Sequence, residues 1–134
     1  MVFYWPGTKM KPSGYIDNTT SIFNYPIQGF ATGEIMPIAL FHFWHKTKDL
    51  PIIIWNTVHD SIVSRVHTSA IDEYERLSKE CLTKDVFVFL QDVYNYTFVV
   101  PLGVGVKVSK NWGKSDVEKV WSVWPDGRET YVEK

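Results

Sequence analysis

Hydrophobic residues along the chain follow two different spacings in turn. Between Pro26 and Thr47 they stand at Ile27, Phe30, Ile35, Ile38, Ala39, Phe43 and Trp44, the three- and four-residue steps of a helix with one buried face. Asn24 and Pro26 supply starting signals for that helix, and Pro37, which has no N–H to give, predicts a kink. From Pro51 to His67 the pattern changes to β-branched runs, which predict two short strands meeting at His59 and Asp60. Helical spacing returns with Ile71, Tyr74, Leu77, Cys81 and Leu82 behind the capping residues Thr68 and Ser69, predicting a helix over 69–91. "PLGVGVKVSKNW" (101–112) alternates as a strand, and "VWSVWPDGRETYV" (120–132) predicts a hairpin turning on Pro125, Asp126 and Gly127. An opening pair of extended segments is expected at "VFYW" (2–5) and "GYIDN" (14–18). The order predicts an α+β fold, an antiparallel sheet with helices packed on one face.

Composition narrows the classes. The 134 residues, 45% hydrophobic and 16% aromatic, suit one folded domain rather than a disordered chain. No apolar run approaches the roughly 18 residues of a membrane span, and the start "MVFYWPGTKMK" lacks a signal-peptide layout; a soluble, intracellular protein with no membrane partner is expected. Cys81 is the only cysteine, so neither a disulfide framework nor a Cys-based zinc site is available, and a buried thiol is expected. A net charge of −1 carries no overall nucleic-acid signature, so any DNA contact has to be local.

Asp60 is the residue that the strand pattern does not explain. Strands are depleted in Asp because a carboxylate is costly to desolvate. At the tip of a hairpin it has two roles open to it: accepting backbone N–H groups within the turn, or staying hydrated and binding a hard cation such as Mg²⁺, which takes one or two carboxylates along with substrate phosphates. Other features read more simply. His42, His45 and His67 are expected in packing and surface roles, not as a zinc triad. Tyr4, Trp5, Lys9, Lys11 and Tyr15 form a loop edge with solvated lysines, and "DEYERLSKE" (72–80) a solvated helix face. Of Trp121 and Trp124, one is expected to pack inward and the other to cover an edge.

Three segments, "NYPIQGFATGEI" (24–35), "NTVHDSIV" (56–63) and "VPLGVGVKVSKNW" (100–112), stand in an order and spacing that resemble the C-terminal end of the palm of family A (DNA polymerase I-like) DNA polymerases, especially phage-type members. The resemblance covers residues 14 to about 115, which divides the chain into a palm segment (1–115) and a C-terminal hairpin extension (116–134). It implies template-directed DNA synthesis by nucleotidyl transfer from a dNTP onto primer-template DNA. Asp60 matches a catalytic carboxylate that holds two Mg²⁺ ions, and His59 a residue near the primer terminus. Asn24 and Gln28 match a polar pair that touches template and primer near the terminal base pair. Four apart at a helix start, these two amides can share a face, and minor-groove acceptors occupy similar positions in all Watson–Crick pairs.

The departures bear on activity. Where the family usually has Glu after this Asp, the chain has Ser61, and where many members carry a basic residue four before Asn24 it has Thr20. Nothing in it resembles the other catalytic Asp strand, the nucleotide-binding finger helix, the thumb or a proofreading exonuclease. The isolated chain is therefore expected to be incomplete and inactive, its two-metal site finished by residues outside it. The remaining part of the polymerase is the expected partner, with self-association through exposed palm surface and a cytoplasmic location, in the host cell if the chain is phage-encoded. The other function class is a non-catalytic fragment serving as a nucleic-acid-binding or interaction module.

Overall fold

The computed structural model describes residues 7–111 and 117–133. Its first long element is a continuous helical run of three parts. Helix α1 spans Thr19–Phe30, Ala31–Ile35 form a π-helical segment, and α2 spans Met36–Thr47. The helix thus begins before Pro26, which lies inside α1. Proline removes the bond to the carbonyl four residues back, but α1 buries no side chain, so a carbonyl released there meets water and the helix tolerates it. At the position of the expected kink the helix changes register. The Met36 N–H reaches the Ala31 carbonyl, five residues back, and Pro37 follows at the first turn of α2, where its missing N–H costs least.

The β1–β2 hairpin follows, with β1 at Ile52–Val58 and β2 at Ser61–Val66. A turn of 3₁₀-helix at Thr68–Ala70, capped by His67, opens α3 (Ile71–Lys79); a second π segment at Glu80–Lys84 leads into α4 (Asp85–Tyr94). This run corresponds to the helix expected over 69–91. Strands β3 (Leu102–Lys107), β4 (Glu118–Val123) and β5 (Glu129–Glu133) close the chain. The β4–β5 turn falls on Pro125–Gly127 as expected, with Gly127 at φ 88°. The predicted segment 2–5, its aromatics Tyr4 and Trp5, and Trp112 lie outside the described residues. Near the start, Met10 bridges to Ile16.

The α+β class holds, but the expected single sheet is two small antiparallel ones, β1–β2 and β3–β4–β5. Strand β3 takes its partner from the residues that follow it, so β4 completes its ladder locally and the β1–β2 hairpin stays separate. The extension also reaches the helices: Lys119 Nζ lies 2.7 Å from the Glu75 carboxylate, and Lys79 lies 3.2 Å from that of Glu129.

Helix α2 holds the core together. Ala39, Phe43 and Thr47, each four residues on, are all buried. Ala39 packs with Val86 and Leu90 of α4, and Phe43 with Leu77 and Cys81. Leu82 touches both clusters, while Ile54 and Ile62 of the hairpin lean on the second. Cys81 is fully buried, as expected, and burial pushes its thiol up to about 12. Ile27 and Trp44, expected on the buried face, are instead 69% and 53% exposed, because α1 runs past the core and Trp44 lies one position round from Phe43. Phe43→Ala should therefore cost about 3–5 kcal/mol in a urea melt, and Ile27→Ala about 0.5 kcal/mol or less.

Candidate functional site

Ile52, Ile53, Ile54, Val58, Ile62, Val63 and Val66 make the hairpin a strong pair of strands. In its register Val58 faces Ser61, so His59 and Asp60 form a two-residue turn. Such turns ordinarily use Asn-Gly or Asp-Gly, which accept positive φ. Here His59 stands at φ 54°, a left-handed conformation that costs a residue with a Cβ about 1–2 kcal/mol. The Ser61 hydroxyl donates to the Val58 carbonyl at 2.8 Å across the turn. Trp55 forms a bulge between the pairs at Ile54 and Asn56, and is 72% exposed.

His59 and Asp60 are both exposed. Among the described residues nothing hydrogen-bonds or ion-pairs with the Asp60 carboxylate. The turn of the other hairpin provides a direct contrast. Asp126 accepts the Arg128 backbone N–H at 3.0 Å and the Arg128 guanidinium at 2.7 Å; the backbone bond first, and the guanidinium with it, hold its carboxyl below the usual range. Asp126 does the work of a structural turn residue. Asp60 does not.

Asn24 stands in the middle of α1 and Gln28 near its end, neither at the start of a helix. With Thr20 they form a line of exposed residues four apart. Among the described residues neither side-chain amide has a hydrogen-bond partner. Phe23 and Ile27, next to this line, are 70% and 69% exposed, and α1 is tied to the body through Phe30, whose ring meets Tyr96 at 5.8 Å and Phe98 at 6.2 Å. The four residues singled out from the sequence thus fall into two pairs, on α1 and on the hairpin tip, with no hydrogen bond joining them.

His67 and His42 both meet neighbouring residues, although the buried Nε2 of His42 takes no hydrogen bond among the described residues. His67 caps the 3₁₀ turn by accepting the Ser69 N–H, and His42 packs between Phe41 and Phe89. Among the described residues no three or more His, Cys, Asp or Glu gather as metal ligands. Asp60 belongs to no such group. Trp121 meets Tyr131 of β5, and Trp124 lies under Arg128.

One polar cluster was invisible in the sequence. Lys46 donates to Glu80 at 2.7 Å and Asp85 at 2.8 Å. Burial works against its charge, but these bonds, Asp85 first, outweigh it and hold the ammonium pKa above the lysine range. Glu80 and Asp85 are five apart, which would set them about 140° apart round an α-helix. The π segment between them brings both toward one lysine, and α-helical spacing carries no hint of that.

No known protein family, curated protein or solved structure matches the chain. Among the described residues no helix is long and apolar enough to cross a membrane.

The contrast between the two turns has a measurable consequence. Because the Asp126 pKa is depressed, its contribution to stability is present above the ordinary carboxylate range and lost as pH falls through its folded value. Asp126→Ala should lower the melting temperature at about pH 7, and the gap should close as pH falls below the ordinary carboxylate range. Asp60→Ala should leave the melting temperature at about pH 7 nearly unchanged. Thermal melts from acid to neutral pH compare the three curves.

Proposed function

We propose that the chain is the C-terminal palm part of a phage-type family A DNA polymerase, contributing to template-directed DNA synthesis while incomplete by itself. The observation that carries this reading is the Asp60 carboxylate, held at the tip of a hairpin in a turn of unsuitable residues and taking no part in that turn. A positive-φ His followed by an unpartnered Asp gives folding nothing that Asn-Gly would not give better. Three segments in polymerase-like order give the same residue a chemical purpose.

In this reading Asp60 supplies one carboxylate to a two-Mg²⁺ site. When bound, such ions lower the pKa of the attacking primer hydroxyl and neutralise charge building on the leaving phosphates. His59, beside Asp60, contacts the primer end. Asn24 and Gln28, with free amide donors on one exposed line, hold minor-groove acceptors that every correct base pair presents. The remaining carboxylates and the triphosphate pocket come from the rest of the polymerase, outside these residues. Exposed Phe23, Ile27 and Ile53 support a missing neighbour, and the same surface promotes self-association when the partner is absent. Synthesis would take place in the cytoplasm, that of the host if the chain is phage-encoded.

The lone carboxylate also favours a second reading, a folded nucleic-acid-binding or interaction module without catalysis. Primer extension separates the two. The purified chain alone should extend nothing in Mg²⁺ or Mn²⁺. Combined with an upstream polymerase portion that carries the other carboxylate strand and the finger helix, it should restore synthesis. Asp60→Asn should then remove most of the incorporation, by a hundredfold or more (roughly 3 kcal/mol of transition-state stabilisation), without a drop in melting temperature. Restored synthesis that survives Asp60→Asn would leave only the non-catalytic module.

A further inference from the structure

We propose that the outward face of α4 is self-complementary and pairs antiparallel with the same face of a second copy of the chain, about a two-fold axis at Val88. The inference does not depend on the reading of Asp60.

The helical step of four sets Lys84, Val88 and Asp92 in one line, and all three are exposed. Lys84 closes the π segment that leads into α4, and Asp92 stands near the end of α4. Each charge lies four residues from Val88, about 6 Å along the axis, so the two are too far apart to meet each other. Among the described residues neither has an ion pair or hydrogen bond. Their charged neighbours are already paired: Arg76 with Glu73 and Glu80, Lys79 with Glu129, and Asp85 with Lys46.

The ground beside the line is apolar. Phe41 of α2 is 59% exposed, and ring contacts lead from it through His42 and Phe89 to Tyr94, at 5.7, 6.0 and 6.1 Å in turn. Val88 and Val93 are exposed next to these rings. Val88 forms the ridge between two open hollows, one lined by Arg76, Lys79 and Lys84 and the other by His42, Phe89 and Val93.

The order of charges selects the occupant. In an isologous interface residue i meets residue j and j meets i. Laid antiparallel on itself, the line brings Lys84 of each copy to Asp92 of the other, with the two Val88 side chains between them. Both free charges are used, and the apolar ground on each copy leaves water. A parallel pairing would set like against like. Three turns of one helix with Phe41 beside them make a small interface, which implies a weak dimer forming at micromolar concentration or above.

Sedimentation equilibrium of the purified chain from micromolar to millimolar concentration reads the association. Lys84→Glu alone and Asp92→Lys alone each turn both cross-dimer pairs from attraction to repulsion, and each should weaken the dimer about tenfold with the melting temperature nearly unchanged. An equimolar mixture of these two variants should associate about as well as the parent, since every contact between positions 84 and 92 of unlike copies is again opposite in sign. The double variant Lys84→Glu, Asp92→Lys should recover for the same reason. Val88→Asp, which sets two carboxylates face to face on the axis, should leave a monomer. The proposal is overturned by a parent chain that stays monomeric throughout the range, by single variants that dimerise as the parent does, or by a mixture that fails to recover. It is overturned also if Phe23→Ser with Ile27→Ser abolishes association while Val88→Asp does not, which places the contact on α1 instead.

Discussion

Everything in this fold hangs on the packing of α2. Ala39, Phe43 and Thr47 form a four-residue stripe whose small first member admits Val86 and Leu90 of α4 and whose large second member fills the space before Leu77 and Cys81. The stripe closes with Thr47, whose hydroxyl turns back to the Phe43 carbonyl at 2.7 Å and so enters the interior with its donor satisfied. Lys46, one position round, adds the pair of bonds to Glu80 and Asp85. A buried stripe with a polar clamp beside it fixes both the spacing and the register of the two long helical runs.

What that packing leaves outside is as informative as what it encloses. Helix α1 continues the axis of α2 beyond the core and buries nothing, so its exposed apolar and amide residues are presented, not packed. The hairpin rests on the core through one face, with Ile54 and Ile62 inward and Ile53 and Trp55 outward. The third body, β3–β4–β5, is organised differently: Val104, Val106 and Val123 are buried, and the Lys119–Glu75 and Lys79–Glu129 ion pairs fasten it to α3. Among the described residues, the side toward β3–β4–β5 is fastened to the helices, while α1 and the hairpin tip present exposed side chains.

The two hairpin turns show how the same residue type serves two ends. Asp126 spends its carboxylate on its own turn, with Gly127 taking the left-handed position. In the β1–β2 turn a histidine takes the left-handed position, a serine hydroxyl ties the turn, and the aspartate is left over.

The sequence by itself determined the α+β class, the hairpin tip at His59 and Asp60, the terminal hairpin on Pro125–Gly127 and the buried Cys81. All of these follow from local periodicity and turn chemistry, which act over a few residues. It also singled out Asp60 as a residue its surroundings did not call for, though not whether it served the turn. Tertiary structure decided what depends on distant residues. Helix α1 starts at Thr19 and passes through Pro26 because no side chain is buried around that proline, and β3 pairs with β4, so the strands divide into two sheets. Glu80 and Asp85 meet Lys46 across a π segment whose five-residue step helical spacing conceals, and the Asp60 carboxylate lacks the bonds that Asp126 makes. Periodicity states which face of an element is apolar; only the assembled chain decides whether that face, or a carboxylate at its end, meets a partner.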